Sequence, residues 1–128
     1  MQFICYENTV FWAPKVQTPK GGLSQKKLNQ VIDYIQINLY QELRLATIAQ
    51  EIGINQSYFC TLFKQSTGIT PYQYTLLQRI ERAKQLLKQP NITIVDVAIQ
   101  SGFANKSHFT KHFSQFTGVT PKVYQEQA

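Results

Sequence analysis

The chain has 128 residues, 43% of them hydrophobic, which suffices for one small domain or two very small ones sharing a core and excludes an enzyme with a separate cofactor domain. Thirteen Lys and Arg against seven Asp and Glu give a formal charge of +6, which favours a polyanionic partner such as nucleic acid. Cys5 and Cys60 show no disulfide or metal-ligand spacing, and no apolar run approaches membrane-spanning length, so a cytoplasmic protein away from any membrane is expected.

Residues 1–23 hold an aromatic cluster and then a turn-rich stretch with Pro14, Pro19, Gly21 and Gly22, which reads as a short arm and linker. Such a segment is too short for a sensing domain, so no small-molecule effector is expected. Ser24 is placed to cap a first amphipathic helix, whose apolar residues Leu28, Val31, Ile32, Ile35 and Leu39 recur at intervals of three and four. A shorter helical segment follows in LATIAQEIG, 45–53, with Leu45, Ile48, Ala49 and Ile52 on one face and Gly53 at its end.

SYFCTLFKQSTGITP, 57–71, predicts a helix beginning near Ser57 that buries Phe59, Leu62 and Phe63 and stops at Gly68, where a left-handed residue is needed. Thr70 can cap the next helix, and Pro71 suits a first turn because its missing N–H would be unpaired there. The longest helical pattern, 71–89, places Tyr74, Leu77, Ala83, Leu86 and Leu87 inside and Lys84 outside, where it reaches a phosphate at most; Pro90 closes it.

The plan then repeats. IVDVAIQSG, 94–102, matches 45–53, and SHFTKHFSQFTGVTP, 107–121, matches 57–71 at eight of fifteen positions. Phe109, Phe113 and Phe116 form the expected buried stripe, and a short helix in PKVYQEQA ends the chain.

Each copy is a short helix with a small residue inside it (Ala49, Ala98), a glycine turn (Gly53, Gly102) and a second helix with an aromatic inner face. That is the pattern of helix-turn-helix, in which the second helix is presented outward. At 100° per residue the outer face carries Ser57, Thr61 and Lys64 with Cys60 at its margin in the first copy, and Ser107, Lys111 and Ser114 with Thr110 at its margin in the second. Both faces are hydroxyl-bearing and basic, and neither holds a carboxylate. The linking helix, roughly 27 Å long at 1.5 Å per residue, suits two recognition helices placed about one DNA turn apart. The expected fold is therefore all-α, with the first helix-turn-helix at about 45–68, the linking helix at 71–89 and the second at about 94–118, within a DNA-binding domain of 24–128.

At these residues the sequence resembles the DNA-binding domain of the AraC/XylS family of transcription regulators. The resemblance is carried most strongly by IVDVAIQSGFANKSHFTKHFSQFTGVTPKVY, 94–124, and by RIERAKQLL, 79–87. It implies seven helices in two helix-turn-helix subdomains, sequence-specific binding of double-stranded promoter DNA and recruitment of RNA polymerase in an activator's role. Carried over position by position, the DNA-facing residues are Asn55, Gln56, Ser57, Cys60, Thr61 and Lys64, and Asn105, Lys106, Ser107, Thr110 and Lys111. Thr61 stands where such proteins often carry Arg. With both recognition helices in one chain, binding as a monomer is expected.

Other classes fit less well. His108 and His112 have the spacing of paired zinc ligands, but HFTKH lacks the glutamate of a metalloprotease helix and no third ligand is evident, so neither a metal site nor a cofactor is expected. No nucleophile–base set, phosphate loop or carboxylate pair suggests an enzyme. A helical protein-interaction adaptor remains the alternative; it would need an exposed apolar groove. RNA binding is disfavoured because the aromatics lie on the inner stripe.

Overall fold

A computed structural model describes residues 3–6, 9–12 and 22–127, with side chains for 22–127. Two short strands, β1 (Phe3–Tyr6) and β2 (Thr9–Trp12), pair antiparallel with Phe3 opposite Trp12 and Tyr6 opposite Thr9. The expected arm therefore contains regular structure, in keeping with its β-branched and aromatic residues; the linker proposed over 13–21 lies outside the described residues.

Seven helices follow among the described residues: α1 (Gln25–Ile37), α2 (Leu45–Glu51), α3 (Gln56–Thr67), α4 (Pro71–Leu87), α5 (Ile94–Gln100), α6 (Lys106–Thr117) and α7 (Pro121–Gln127). Helices α3 and α6 start one residue before the serines that open the sequence repeat, because Asn55 and Asn105 are the caps. Each accepts a bond on Oδ1, from the Tyr58 N–H and the His108 N–H, both at 2.8 Å. Thr70 and Gln73 cap α4 reciprocally, each accepting from the other's backbone N–H at 3.1 Å. α4 stops at Leu87, after which Lys88 and Gln89 turn back onto Gln85 and Leu86 with shorter-range bonds.

The chain divides into two compact units. The first comprises residues 1–38 and 43–75, the second residues 39–42 and 76–128, with the division falling inside α4. The first unit buries Leu28, Val31 and Ile35 of α1, Ile48 and Ala49 of α2, and Phe59, Leu62 and Phe63 of α3, with Tyr74 edge-on to Phe63 at 5.8 Å. The second is built on Leu76, Ile80, Ala83 and Leu87 of α4 against Val97, Ala98, Phe103, Phe109 and Phe113.

Two threonines in equivalent positions, Thr67 buried and Thr117 half-buried, stitch the turn after each second helix. Thr67 Oγ1 lies 2.8 Å from the Phe63 carbonyl and 2.9 Å from that of Ile69, and accepts from the Ile69 N–H; Thr117 repeats the pattern with Phe113 and Val119. Gly68 (φ 87°) and Gly118 (φ 81°) end α3 and α6 in the left-handed conformation.

Three sequence expectations are corrected. Phe116 does not join the buried stripe and is 42% exposed. The inward line of α6 runs through Phe109, Phe113 and Thr117 at intervals of four, and position 116 is turned off it. Its counterpart Ser66 is buried because the Leu23 N–H donates to its Oγ at 2.7 Å. Lys84, placed outside by the sequence, is 8% exposed, with its Nζ 2.9 Å from Glu81 Oε1. Leu77 is half-buried, whereas Leu76 and Ile80 take the inner positions.

Candidate nucleic-acid interface

In each unit the second helix packs its aromatic face inward and leaves its N-terminal turns in solvent. On α3, Gln56, Ser57, Thr61 and Lys64 are exposed, Asn55 precedes them at the cap, and Cys60 is half-buried at the edge. On α6, Lys106, Ser107 and Lys111 are exposed after Asn105, with Thr110 half-buried. Each unit thus collects its own set of candidate residues on one helix surface. Ser114 is half-buried, so the outer face of α6 narrows after its second turn.

The local chemistry distinguishes the two surfaces. Thr61 Oγ1 donates to the carbonyl of Ser57 at 3.1 Å, which turns its hydroxyl onto its own helix and leaves Lys64 as the charged donor of α3. Lys106 and Lys111 supply two ammonium groups on α6, and neither helix contains a carboxylate. The Asn55 and Asn105 oxygens are committed to capping, so their amide nitrogens are the groups left to donate outward. Burial pushes the Cys60 thiol above its ordinary range. On α6, burial first, then His108 and Lys111, holds the His112 imidazole below the usual histidine range.

The turn between α5 and α6 has a support that the sequence reading missed. Arg79 is buried, and its guanidinium donates from Nε to the Leu39 carbonyl at 3.1 Å and from Nη2 to the Gln41 carbonyl at 2.6 Å. Arg82 donates to the Gln100 carbonyl and lies 4.4 Å over the Tyr40 ring. The signal was present: Arg79 stands three after Leu76 and four before Ala83, on the apolar stripe of α4. Gly102, with φ 97°, packs directly against this assembly.

Two short helix–turn–helix pairs, each offering a carboxylate-free, basic second helix, define a DNA-binding class of protein. Residues 48–127 match the family model described as a helix-turn-helix domain, and the chain belongs to that family, in its AraC-type form. A crystal structure of a transcriptional regulator from Chromobacterium violaceum, with an AraC-type DNA-binding domain, is similar at 31% identity and a TM-score of 0.74, over 80% of this chain and 92% of that one. The DNA-binding domain of AdpA, a global transcriptional factor solved in complex with a target DNA, is similar at 25% identity and a TM-score of 0.73, over 79% and 91%. An uncharacterised HTH-type transcriptional regulator of Staphylococcus aureus (strain COL) is 35% identical over 83 residues, 65% of this chain. The chain spans only 11% of that relative's length. Among the described residues no helix is long and apolar enough to cross a membrane.

Proposed function

We propose that this chain regulates transcription by binding a promoter site as a monomer, with α3 and α6 entering successive major grooves. The observation that carries this reading is the duplicated outward face: two asparagine-capped helices in one chain, both exposing hydroxyl and ammonium donors and both free of carboxylates. Lys111 is the base-reading donor, suited to guanine O6 and N7, with Ser107 beside it. Lys64, Gln56 and Ser57 serve α3, and Asn55, Asn105 and Lys106 hold the backbone. Cys60, Thr61 and Thr110 line the margins by packing. The protein acts without catalysis, in the cytoplasm.

RNA polymerase is the proposed protein partner, in keeping with the family. Val95 and Ile99, 48% and 60% exposed on α5, supply apolar surface for a protein contact. The same pair is what favours the second reading, an adaptor without DNA specificity.

Selection of bound duplexes from a random library tests the proposal. The expected product is a non-palindromic site of about two helical turns. On that site Lys111→Ala is expected to cost about 1–3 kcal/mol and to relax preference at one or two base pairs, while the exposed Lys88→Ala weakens all sequences alike or does little. Lys84 is unsuited as the comparator because it is buried. No enrichment of any sequence would favour the adaptor. A uniform loss across single-base variants, with a flatter salt dependence, would make Lys111 a phosphate contact.

A further inference from the structure

His108 and His112 occupy successive turns of α6, on the flank between the Phe109–Phe113 core face and the face bearing Ser107 and Lys111. Their Nε2 atoms lie 3.1 Å apart, with ring centres separated by 4.5 Å. Phe103 backs both rings, at 5.7 and 6.2 Å between centres, so each imidazole has an apolar wall behind it and its partner in front. At this separation one Nε2 carries the shared proton and the other accepts it. His108 Nδ1 is buried with no partner, and orphaned buried N–H groups are rarer than orphaned acceptors. The tautomer that leaves no buried N–H without a partner puts the proton on His108 Nε2, pointing at a bare Nε2 of His112.

Two imidazole nitrogens converging at this distance also have the spacing of neighbouring donors on one metal ion. With bonds of about 2.1 Å, a 3.1 Å separation subtends roughly 95° at the ion, near the cis angle of square-planar and octahedral geometry and below the tetrahedral angle. Histidines four apart on a helix are the arrangement by which paired ligands are held on one face. We propose that His108 and His112 chelate a divalent first-row transition-metal ion of the imidazole-preferring class, copper or nickel ahead of zinc, through their two Nε2 atoms, with water completing the coordination.

Ligation moves the His108 proton from Nε2 to Nδ1 and releases none. That transfer leaves a buried N–H without a partner, and the Lys111 ammonium lies one residue from His112, so the site is open and reversible, unlike a closed structural one. No group of three or more His, Cys, Asp or Glu side chains stands ready to hold an ion among the described residues, which leaves the histidine pair as a two-point site.

The test uses the full chain with Cys5→Ser and Cys60→Ser, which removes thiols that would bind or reduce the ion. Titration with Cu2+ is followed by calorimetry and by electron paramagnetic resonance. One equivalent should bind, with the hyperfine pattern of two imidazole nitrogens, and should raise the melting temperature. His108→Gln and His112→Gln should each weaken binding at least about tenfold, because each removes one arm of an intramolecular chelate, and should abolish the thermal shift. Absence of saturable binding, or affinity kept within threefold in either glutamine variant, would overturn the site. The resonance spectrum of the parent decides independently of how the variants fold: a single-nitrogen pattern would also overturn it.

Discussion

Gly53 and Gly102 end the first helix of each repeat in the same left-handed conformation, with φ of 79° and 97°, yet their surroundings differ. A Cβ built on Gly53 meets nothing within 4 Å. On Gly102 it would collide with the Leu39 carbonyl oxygen and sit 2.8 Å from Arg79 Nε, the two partners of the buried hydrogen bond that holds residues 39–42. For Gly53→Ala the expected cost is therefore conformational only, about 1–2 kcal/mol for an L-residue forced left-handed. Gly102→Ala bears the same strain plus overpacking of about 1–3 kcal/mol, and any shift that relieves it strains or breaks the Arg79 bond, worth a further ~1–3 kcal/mol. Expected totals are about 1–2 and at least about 3 kcal/mol; at roughly 4 °C per kcal/mol for a chain of this size, the melting temperatures fall by about 4–8 °C and by 12 °C or more. Circular-dichroism melts and urea titrations of both variants measure the difference. Gly53→Asn sharpens the contrast, since asparagine tolerates this conformation better than alanine, whereas Gly102→Asn gains nothing because its Cβ meets the same atoms. Equal losses for the two alanine variants would refute the close approach at Gly102 and, with it, the role given to Arg79.

Lys84→Ala should destabilise the protein by about 1–3 kcal/mol, through lost stem packing and the loss of the Glu81 pair, and Lys84→Met should lose less; denaturation showing no change in either would contradict the burial. Thr67→Val should cost about 1–3 kcal/mol and Thr117→Val less, because the second turn is half-buried and water can replace the hydroxyl there; urea midpoints in the reverse order would count against this. Cys60, with its thiol pushed up by burial, holds less thiolate at neutral pH than a free cysteine. In a Cys5→Ser background it should react with iodoacetamide more slowly than a reference thiol, with the rate still climbing above the ordinary thiol range; faster alkylation than the reference would point to an activated cysteine.

The sequence alone determined the seven helices and their order, because most of their boundaries are written in local chemistry; α2, which begins after Arg44 with no side-chain cap, is an exception. Ser24, Thr70 and Thr93 cap by hydrogen bonds over three residues, and Gly68 and Gly118 stop helices by a preference of their own backbone. The repeat also made the outer faces of α3 and α6 legible, since a helix face is a matter of residue spacing. Only the tertiary structure decided what depends on a neighbour remote in sequence. Arg79 stands on the apolar stripe of α4, but its role is fixed only when the carbonyls of Leu39 and Gln41 are brought to it. Phe116 and Ser66 occupy the same place in the repeat, yet the polar residue is buried because Leu23 reaches it and the aromatic one is exposed. Gly53 and Gly102 look equivalent in the chain and differ because only one is approached by another segment. Periodicity assigns a residue to a side of its own helix; whether that side is covered depends on which segments fold against it.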